Sequence, residues 1–117
     1  MRTVAEVMRA PAVTVEPATT VQETSARMLD AGVHAAVLVD DGRICGMVTA
    51  ERLSEALAQG RDPTETPVGE VAEADPPLVR SEEPVSEAHL RMRAAGRTLV
   101  PVVTADRRPV GILEDSG

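Results

Sequence analysis

The stretch GMVTAERL, residues 46–53, combines groups that could hold a polar or anionic ligand. Thr49 ends a run of β-branched and aliphatic residues and precedes a helical pattern, so its hydroxyl stands beside the unpaired N–H groups of a helix start. Such N–H groups favour an anion, for example a phosphate. Three positions later, Arg52 carries a guanidinium, which donates hydrogen bonds and cannot accept them. The stretch therefore offers donors to an anion, but Arg52 stands where a carboxylate could accept from ligand hydroxyls.

The other reactive residue types are explained by ordinary packing. Cys45 is the one cysteine of the chain and lies in the apolar run ICGMV, so we interpret it as a core residue. His34 and His89 have no Cys or carboxylate at ligand spacing, so no metal site is predicted. The sequence offers no activated nucleophile, acid–base pair or glycine-rich phosphate loop, so we predict neither enzymatic activity nor catalytic residues.

Composition limits the partners of the chain. A length of 117 residues suits one domain, and its core must be aliphatic because there is no Phe, Tyr or Trp. The net charge of −7 and the lack of a basic stripe argue against nucleic acid as a partner. No apolar run suits a signal peptide or a membrane span, so we expect no membrane partner and a cytoplasmic protein. The acidic pairs Glu82-Glu83 and Glu114-Asp115 are interpreted as a solvated turn and a chain end.

The chain repeats itself at a shift of 64 residues. Twelve of the 36 positions from 4 to 39 carry the same residue in both copies, against roughly three expected from this composition. In the first copy these are Val4, Glu6, Val7, Ala10, Val15, Val21, Glu23, Arg27, Met28, Ala31, Gly32 and Val39. One extra residue in the second copy then aligns Gly46 with Gly111. We predict repeats at 1–60 and 68–117, joined by a linker at 61–67, that form one module.

Helix starts and a helix stop are marked in the first copy. Thr3 with Glu6, and Thr20 with Glu23, have the spacing of a capping box, in which the threonine oxygen accepts from an unpaired N–H of the first turn. Gly32 is suited to the left-handed conformation that ends a helix. These signals predict a short lead-in helix and a longer amphipathic helix in each repeat.

Along the chain, the predicted strands of each repeat lie before and after that amphipathic helix. One brief strand precedes it, and two strands follow it as a hairpin, which in the first copy turns at Asp41-Gly42. The segment AERLSEALAQG then predicts a further helix in the first copy only. Neither repeat can bury its sheet alone, so we predict an α+β fold of two repeats related by a pseudo-twofold axis and packed sheet to sheet.

The two repeats resemble the cystathionine β-synthase (CBS) domain, which normally occurs as tandem pairs. The first copy carries VAEVM, AVTVEP and TVQETSARMLDAGVHAAVLVDDGRICGMVTAERL, and the second carries VGEV, PVSEAHLRMRAAGRTLVPVV and PVGIL. The resemblance covers essentially the whole chain. It implies a cleft module that binds adenosine-containing nucleotides, regulates an attached or associated protein, and pairs into a disc-like homodimer.

The resemblance also implies a nucleotide site in the first copy, with aliphatic walls. Its candidate residues are Val13, Thr14, Val15, Ala35, Ala36, Val37, Thr49 and Arg52. No cofactor is certain, and the candidate ligands are AMP, ADP and ATP. In this family an Asp typically follows the threonine by three residues and accepts from the ribose. Arg52 stands there instead, and Glu51 points about 100° away on a helix. Two hypotheses stay open: weak nucleotide sensing, and a degenerate pair that acts only as a dimerisation or interaction scaffold.

In the second copy we expect no bound phosphate, although Pro101 is retained in the strand LVPVV, as is usual in the family. Glu114 aligns with the threonine and places a negative charge where an anion would lie. The terminal Gly117 aligns with the arginine, and no counterpart of the last helix follows. We also expect apolar surface near Val110 and Ile112 to be uncovered, unless a partner subunit or the lead-in helix fills it.

Overall fold

The structure, a computed structural model, describes residues 1–115. The chain divides into two compact units. The central unit is Val13–Asp75, and the terminal unit combines Met1–Ala12 with the chain from Pro76 onward. Each unit thus contains the strands and amphipathic helix of one repeat together with the lead-in segment of the other repeat.

The described residues form helices and two separate sheets. The helices are α1 (Val4–Val7), α2 (Val21–Ala31), α3 (Ala50–Ala58) and α4 (Val85–Ala94), and Val68–Glu70 forms a 3₁₀ turn. The strands are β1 (Thr14–Val15), β2 (Ala35–Asp40), β3 (Arg43–Thr49), β4 (Glu73–Ala74), β5 (Val79–Arg80), β6 (Leu99–Val103) and β7 (Pro109–Glu114). The predicted α+β class is confirmed. No helix within residues 1–115 is long and apolar enough to cross a membrane.

The sheet of the central unit has the order β1-β2-β3-β4. The first two strands are parallel, and β2 and β3 form the predicted antiparallel hairpin. Its turn at Asp41 and Gly42 has positive φ angles of 54° and 77° at the two residues, as the dipeptide predicted. The last strand, β4, comes from the lead-in segment of the second repeat and pairs with β3.

The sheet of the terminal unit repeats this arrangement with the order β5-β6-β7. Arg9, from the first lead-in, pairs antiparallel with Ile112 of β7. The N–H of each residue donates to the carbonyl of the other at 2.9 Å. The apolar surface expected at Ile112 is filled by the lead-in segment, one of the two alternatives considered, which leaves only 6% of Ile112 exposed.

The aligned glycines mark where a lead-in segment crosses a hairpin. A Cβ on Gly111 would lie 2.7 Å from the carbonyl oxygen of Arg9 and 2.8 Å from Sδ of Met8. A Cβ on Gly46 would lie 3.0 Å from the carbonyl oxygen of Glu73. Each repeat thus needs a residue without a side chain at this position because the backbone of the other repeat's lead-in passes over it.

The helix-start predictions have different outcomes. The side chain of Thr20 accepts from the N–H of Glu23 at 3.1 Å, and α2 ends at Gly32, whose φ is 65°. Thr3 makes no such side-chain cap, so the predicted capping box at α1 is wrong. Since α1 is a single turn, Thr3 is fixed instead by antiparallel backbone pairing with Pro84.

Each unit has one aliphatic core. The central core contains Val15, Val21, Met28, Ala36, Leu38, Val48, Leu53 and Val68. The terminal core contains Val4, Val79, Ala88, Met92, Val100, Val102 and Leu113. The lead-in valines Val68 and Val4 are fully buried in these cores. Burial of a valine side chain stabilises by about 1.5–3 kcal/mol, so each valine anchors the exchanged segment.

Candidate functional site

The strand register of the central unit brings the predicted site residues to one end of its sheet. Thr14 pairs with Val37 across β1 and β2, and the N–H of Val37 donates to the carbonyl of Val13 at 2.8 Å. Ala35 pairs with Thr49 across β2 and β3. The loop before β1, the start of β2 and the end of β3 therefore meet beside the first turn of α3.

Only part of this cluster is accessible. The buried members are Val15, Ala35, Ala36 and Val37. The accessible members are Val13, Thr14, Thr49 and Arg52, of which Thr14 and Arg52 are exposed. A ligand at this end of the sheet would therefore meet two threonine hydroxyls, one partly exposed valine and one guanidinium.

Thr49 is the N-cap of α3. Its Oγ1 accepts from the N–H of Arg52 at 3.2 Å, and the N–H of Ala50 donates to the carbonyl of His34 at 2.9 Å. Burial of Leu53 and Ala56 holds the helix against the central unit. The Thr49 hydroxyl can still donate its proton, so the cap leaves one hydrogen bond for a ligand.

The Arg52 side chain is directed to the lead-in segment of its own unit. Its Nε donates to the carbonyl oxygen of Val71 at 2.7 Å. Val71 follows the 3₁₀ turn and packs against the central core. Arg52 therefore holds the lead-in against the start of α3. Local patterning gave no signal for this bond because its partners are 19 residues apart.

The corresponding place in the terminal unit has different chemistry. Glu114 is exposed and pairs with Leu99, as Thr49 pairs with Ala35. The next residue, Asp115, is 8% exposed, and its Oδ2 lies 2.8 Å from Nε of Arg93. The interpretation of this acidic pair as a solvated chain end is therefore wrong for Asp115. The predicted role of Gly117 lies outside the described residues.

The other acidic pair is also only partly solvated. Oε2 of Glu83 accepts from the N–H of Arg80 at 2.6 Å. The same carboxylate forms an ion pair of 2.9 Å with Arg91. Its neighbour Glu82 is exposed, as expected. Glu83 thus fixes the turn between β5 and α4 through both its backbone and side-chain partners.

The cysteine and the two histidines differ in burial and in hydrogen-bond partners. Cys45 packs against the central core, and burial, followed by the charges of Asp40 and Asp75, raises the pKa of its thiol. The thiol is therefore protonated and weakly nucleophilic near neutral pH. His34 is exposed, and the buried Nε2 of His89 has no hydrogen-bond partner within residues 1–115. The same residues contain no group of three or more His, Cys, Asp or Glu able to hold a metal ion.

Solved structures share this architecture. The CBS domain protein PAE2072 from Pyrobaculum aerophilum, complexed with AMP, matches with a TM-score of 0.87 and 26% identity, over 97% of this chain and 87% of that chain. Hypoxic Response Protein I with two coordinated zinc ions matches with a TM-score of 0.82 and 27% identity, over 97% and 92% of the two chains. The CBS domain pair of protein MJ0100, in complex with 5′-methylthioadenosine and S-adenosyl-L-methionine, matches with a TM-score of 0.86 and 23% identity, over 97% of this chain and 90% of that chain.

Sequence similarity identifies the family. No curated protein sequence matches this chain. The CBS domain profile, however, matches residues 4–59 and 68–116, and so covers both repeats. The chain therefore belongs to the CBS domain family and is a tandem pair of CBS domains.

Proposed function

We propose that this CBS pair is a regulatory module, without catalytic activity, that senses an adenosine-containing nucleotide weakly at one site in the central unit. The observation that carries this proposal is the register that places Thr14, Thr49 and Val13 together beside the start of α3. AMP is bound in the related PAE2072 structure, at 26% identity. The two hydroxyls would meet polar ligand atoms, and aliphatic groups would contact the purine.

The weak affinity follows from the chemistry of Arg52. A ribose diol binds best to a hydrogen-bond acceptor, and a guanidinium has none. The Nε of Arg52 is already bonded to Val71, which fixes the direction of the side chain. Its terminal nitrogens have no partner within residues 1–115, so they could donate to a phosphate. The site therefore favours the phosphate end of a nucleotide over its ribose.

The terminal unit supports no equivalent nucleotide site in this proposal. Glu114 occupies the register position of Thr49, and its exposed carboxylate would repel a phosphate there. Pro101 is buried in β6, where it pairs with Ile112, so the apolar wall alone is retained. A crystal soaked with AMP or ATP should show phosphate density near Thr49, and density beside Glu114 would contradict this inference.

Calorimetric titration with AMP, ADP and ATP tests the site when Arg52→Asp is compared with the wild type. We expect Arg52→Asp to bind adenosine, titrated alongside these nucleotides, more tightly because a carboxylate in the first turn can accept from the ribose. Arg52→Ala is the matched control, since it also removes the bond to Val71 but adds no acceptor. Unchanged or weaker adenosine binding by Arg52→Asp would show that Arg52 does not impair ribose binding.

The second candidate function is a scaffold that binds no ligand. The bond from Arg52 to Val71 favours it, because this bond gives the departure from the family pattern a purely structural purpose. Thermal unfolding followed by circular dichroism separates the two functions, since a ligand that binds only the native state raises the midpoint. A midpoint unaffected by millimolar adenosine nucleotides would favour the scaffold.

We propose that the module acts as a homodimer and modulates a further protein. Leu29 of α2 is 81% exposed and Leu90 of α4 is 64% exposed, so both amphipathic helices present a large apolar side chain. A second copy of the chain could bury these side chains. Sedimentation should show a dimer at micromolar concentration, and Leu29→Glu with Leu90→Glu should shift it to monomer. A wild-type monomer throughout that range would contradict the homodimer.

A further inference from the structure

A cavity of 390 Å³ in the terminal unit lies beside three arginines from separate elements. Arg80 ends β5, Arg91 lies on α4, and Arg107 lies in the turn between β6 and β7. Glu83 is the one acidic residue in the lining, and Leu78 with Val103 provides apolar wall. This volume suits a small molecule, and the lining carries an excess of positive charge within a chain of net charge −7.

The three guanidiniums are engaged to different extents. Arg91 is held by its 2.9 Å ion pair with Glu83. Arg80 has only a 3.8 Å ion pair with the exposed Glu82, and such pairs contribute little. The side chain of Arg107 has no partner within residues 1–115. The backbone φ of this residue is 67°, an angle that residues other than glycine rarely adopt. Arg80 and Arg107 are therefore available to a ligand.

The acidic residue of the neighbouring turn is already satisfied. Asp106 accepts from the Thr104 hydroxyl, and its Oδ2 lies 3.0 Å from Nε of Arg108. The hydrogen bond from Thr104, followed by those from Arg108 and the backbone, lowers the pKa of Asp106. Asp106 and Arg108 thus neutralise each other within the turn and leave Arg107 uncompensated.

The same place in the central unit has the opposite charge. At the shift of 64 residues, Arg80, Thr104 and Ala105 align with Glu16, Asp40 and Asp41, respectively, and all three of these residues are acidic. The arginine on the helix is common to both units: Arg27 donates to the carbonyl of Thr14 at 3.1 Å, and Arg91 donates to that of Leu78 at 3.4 Å. The shared arginine is structural, whereas the positive charge at the cavity is specific to the second repeat.

We propose that this cavity binds the phosphate group of a small phosphorylated molecule. Guanidinium groups match phosphate oxygens in geometry and charge, and a phosphate can accept from several donors at once. A monocarboxylate would satisfy only one guanidinium fork. The site lies at the ends of β5 and β6 that correspond to Val15 and Val39, whereas the candidate nucleotide site lies at the opposite ends of the strands. It is therefore a separate site, independent of the proposed nucleotide site.

Titration of the intact chain with pyrophosphate tests the proposal by calorimetry and by amide chemical shifts. Within the terminal unit, shifts should be confined to Arg80, Glu83 and residues 103–107, and Glu16, Asp40 and Asp41 of the central unit should not shift. Arg80→Ala and Arg107→Gly should each weaken binding by about ten-fold or more, since each removes charged hydrogen bonds. Glycine is chosen at position 107 because it adopts the positive φ without strain.

Arg43→Ala is the matched control, since it removes the same charge from the exposed start of β3 in the central unit. It should leave pyrophosphate affinity unchanged. Three results would overturn the proposal: no binding at millimolar pyrophosphate, shifts spread over arginines throughout the chain, or an Arg43→Ala effect equal to those of Arg80→Ala and Arg107→Gly.

Discussion

The central and terminal units share their backbone arrangement and differ in the charges placed on it. Both have a parallel strand pair, an antiparallel hairpin, and a lead-in segment beside the hairpin. Arg80 in one corresponds to Glu16 in the other, and Glu114 to Thr49. Residues that hold the backbone have been retained after duplication, while residues at both ends of the sheet have diverged. The two units should therefore offer different ligand sites on one scaffold.

The largest expected effect concerns the shared lead-in crossing. Gly111→Ala should destabilise the protein by about 3 kcal/mol, because the added Cβ would lie 2.7 Å from a carbonyl oxygen and the segment must move. Gly46→Ala should destabilise by about 1 kcal/mol, since its closest approach is 3.0 Å. Urea unfolding followed by circular dichroism measures both. Equal effects, or a larger effect at Gly46, would show that the two crossings do not differ as described.

The next largest expected difference between the units is at the residue that ends the hairpin, Thr49 in the central unit and Glu114 in the terminal unit. Thr49→Ala should destabilise by about 1 kcal/mol because the N–H of Arg52 loses its side-chain acceptor. Glu114→Ala, at the aligned position, should change stability by less than about 0.5 kcal/mol since Glu114 is exposed. Unfolding free energies of the two variants provide the measurement. A Thr49→Ala variant as stable as wild type would show that the Thr49 side chain does not stabilise the start of α3.

The shared helix arginines should differ slightly in importance. Arg91→Ala loses a carbonyl contact and a 2.9 Å ion pair with the half-buried Glu83, and should destabilise by about 1 kcal/mol. Arg27→Ala loses the same kind of carbonyl contact and a 3.7 Å pair with the exposed Glu23, and should destabilise by about 0.5 kcal/mol. Chemical unfolding of both variants measures the difference. If Arg27→Ala destabilised the protein more than Arg91→Ala, the ion pair between Arg91 and Glu83 would contribute nothing to stability.

The smallest effect is a pH dependence confined to the central unit. Cys45 has a raised thiol pKa, whereas the aligned residue of the second copy is Val110. A raised pKa means that the folded state keeps the proton more tightly than the unfolded state. The contribution of the thiol to stability is therefore fully present below its pKa in the unfolded state. It is lost as the pH rises through its pKa in the folded state.

Wild type should accordingly lose stability relative to Cys45→Val above about pH 9 and show no difference in slope near pH 7. Unfolding midpoints of the two proteins across this range provide the measurement. Parallel pH profiles throughout would show that the thiol titrates alike in the folded and unfolded chain.

Much of the fold could be predicted because its signals are local and occur twice. The span of α2, its end at Gly32 and the Asp41-Gly42 turn all follow from residues within a few positions of one another. The exchange of lead-in segments could not be predicted from these signals. The alignment of Val4 with Val68 shows that the segments are equivalent, but not which core receives each.

The candidate sites were harder to predict because their partners are distant in sequence. The bond from Arg52 to Val71 joins two elements and involves a backbone carbonyl, which no residue pattern reports. The cavity arginines come from three elements, each with unremarkable local composition. Charge differences between aligned positions, such as Glu16 and Arg80, were the available signal for that cavity.

The central claim is that nucleotide sensing belongs to the central unit alone. An amide chemical-shift titration of the wild-type chain with AMP tests it most directly. We expect shifts at Thr14, Val37 and residues 49–52, with none at Leu99 or Glu114. Shifts at the terminal-unit positions, or none at any of them at millimolar AMP, would contradict the account.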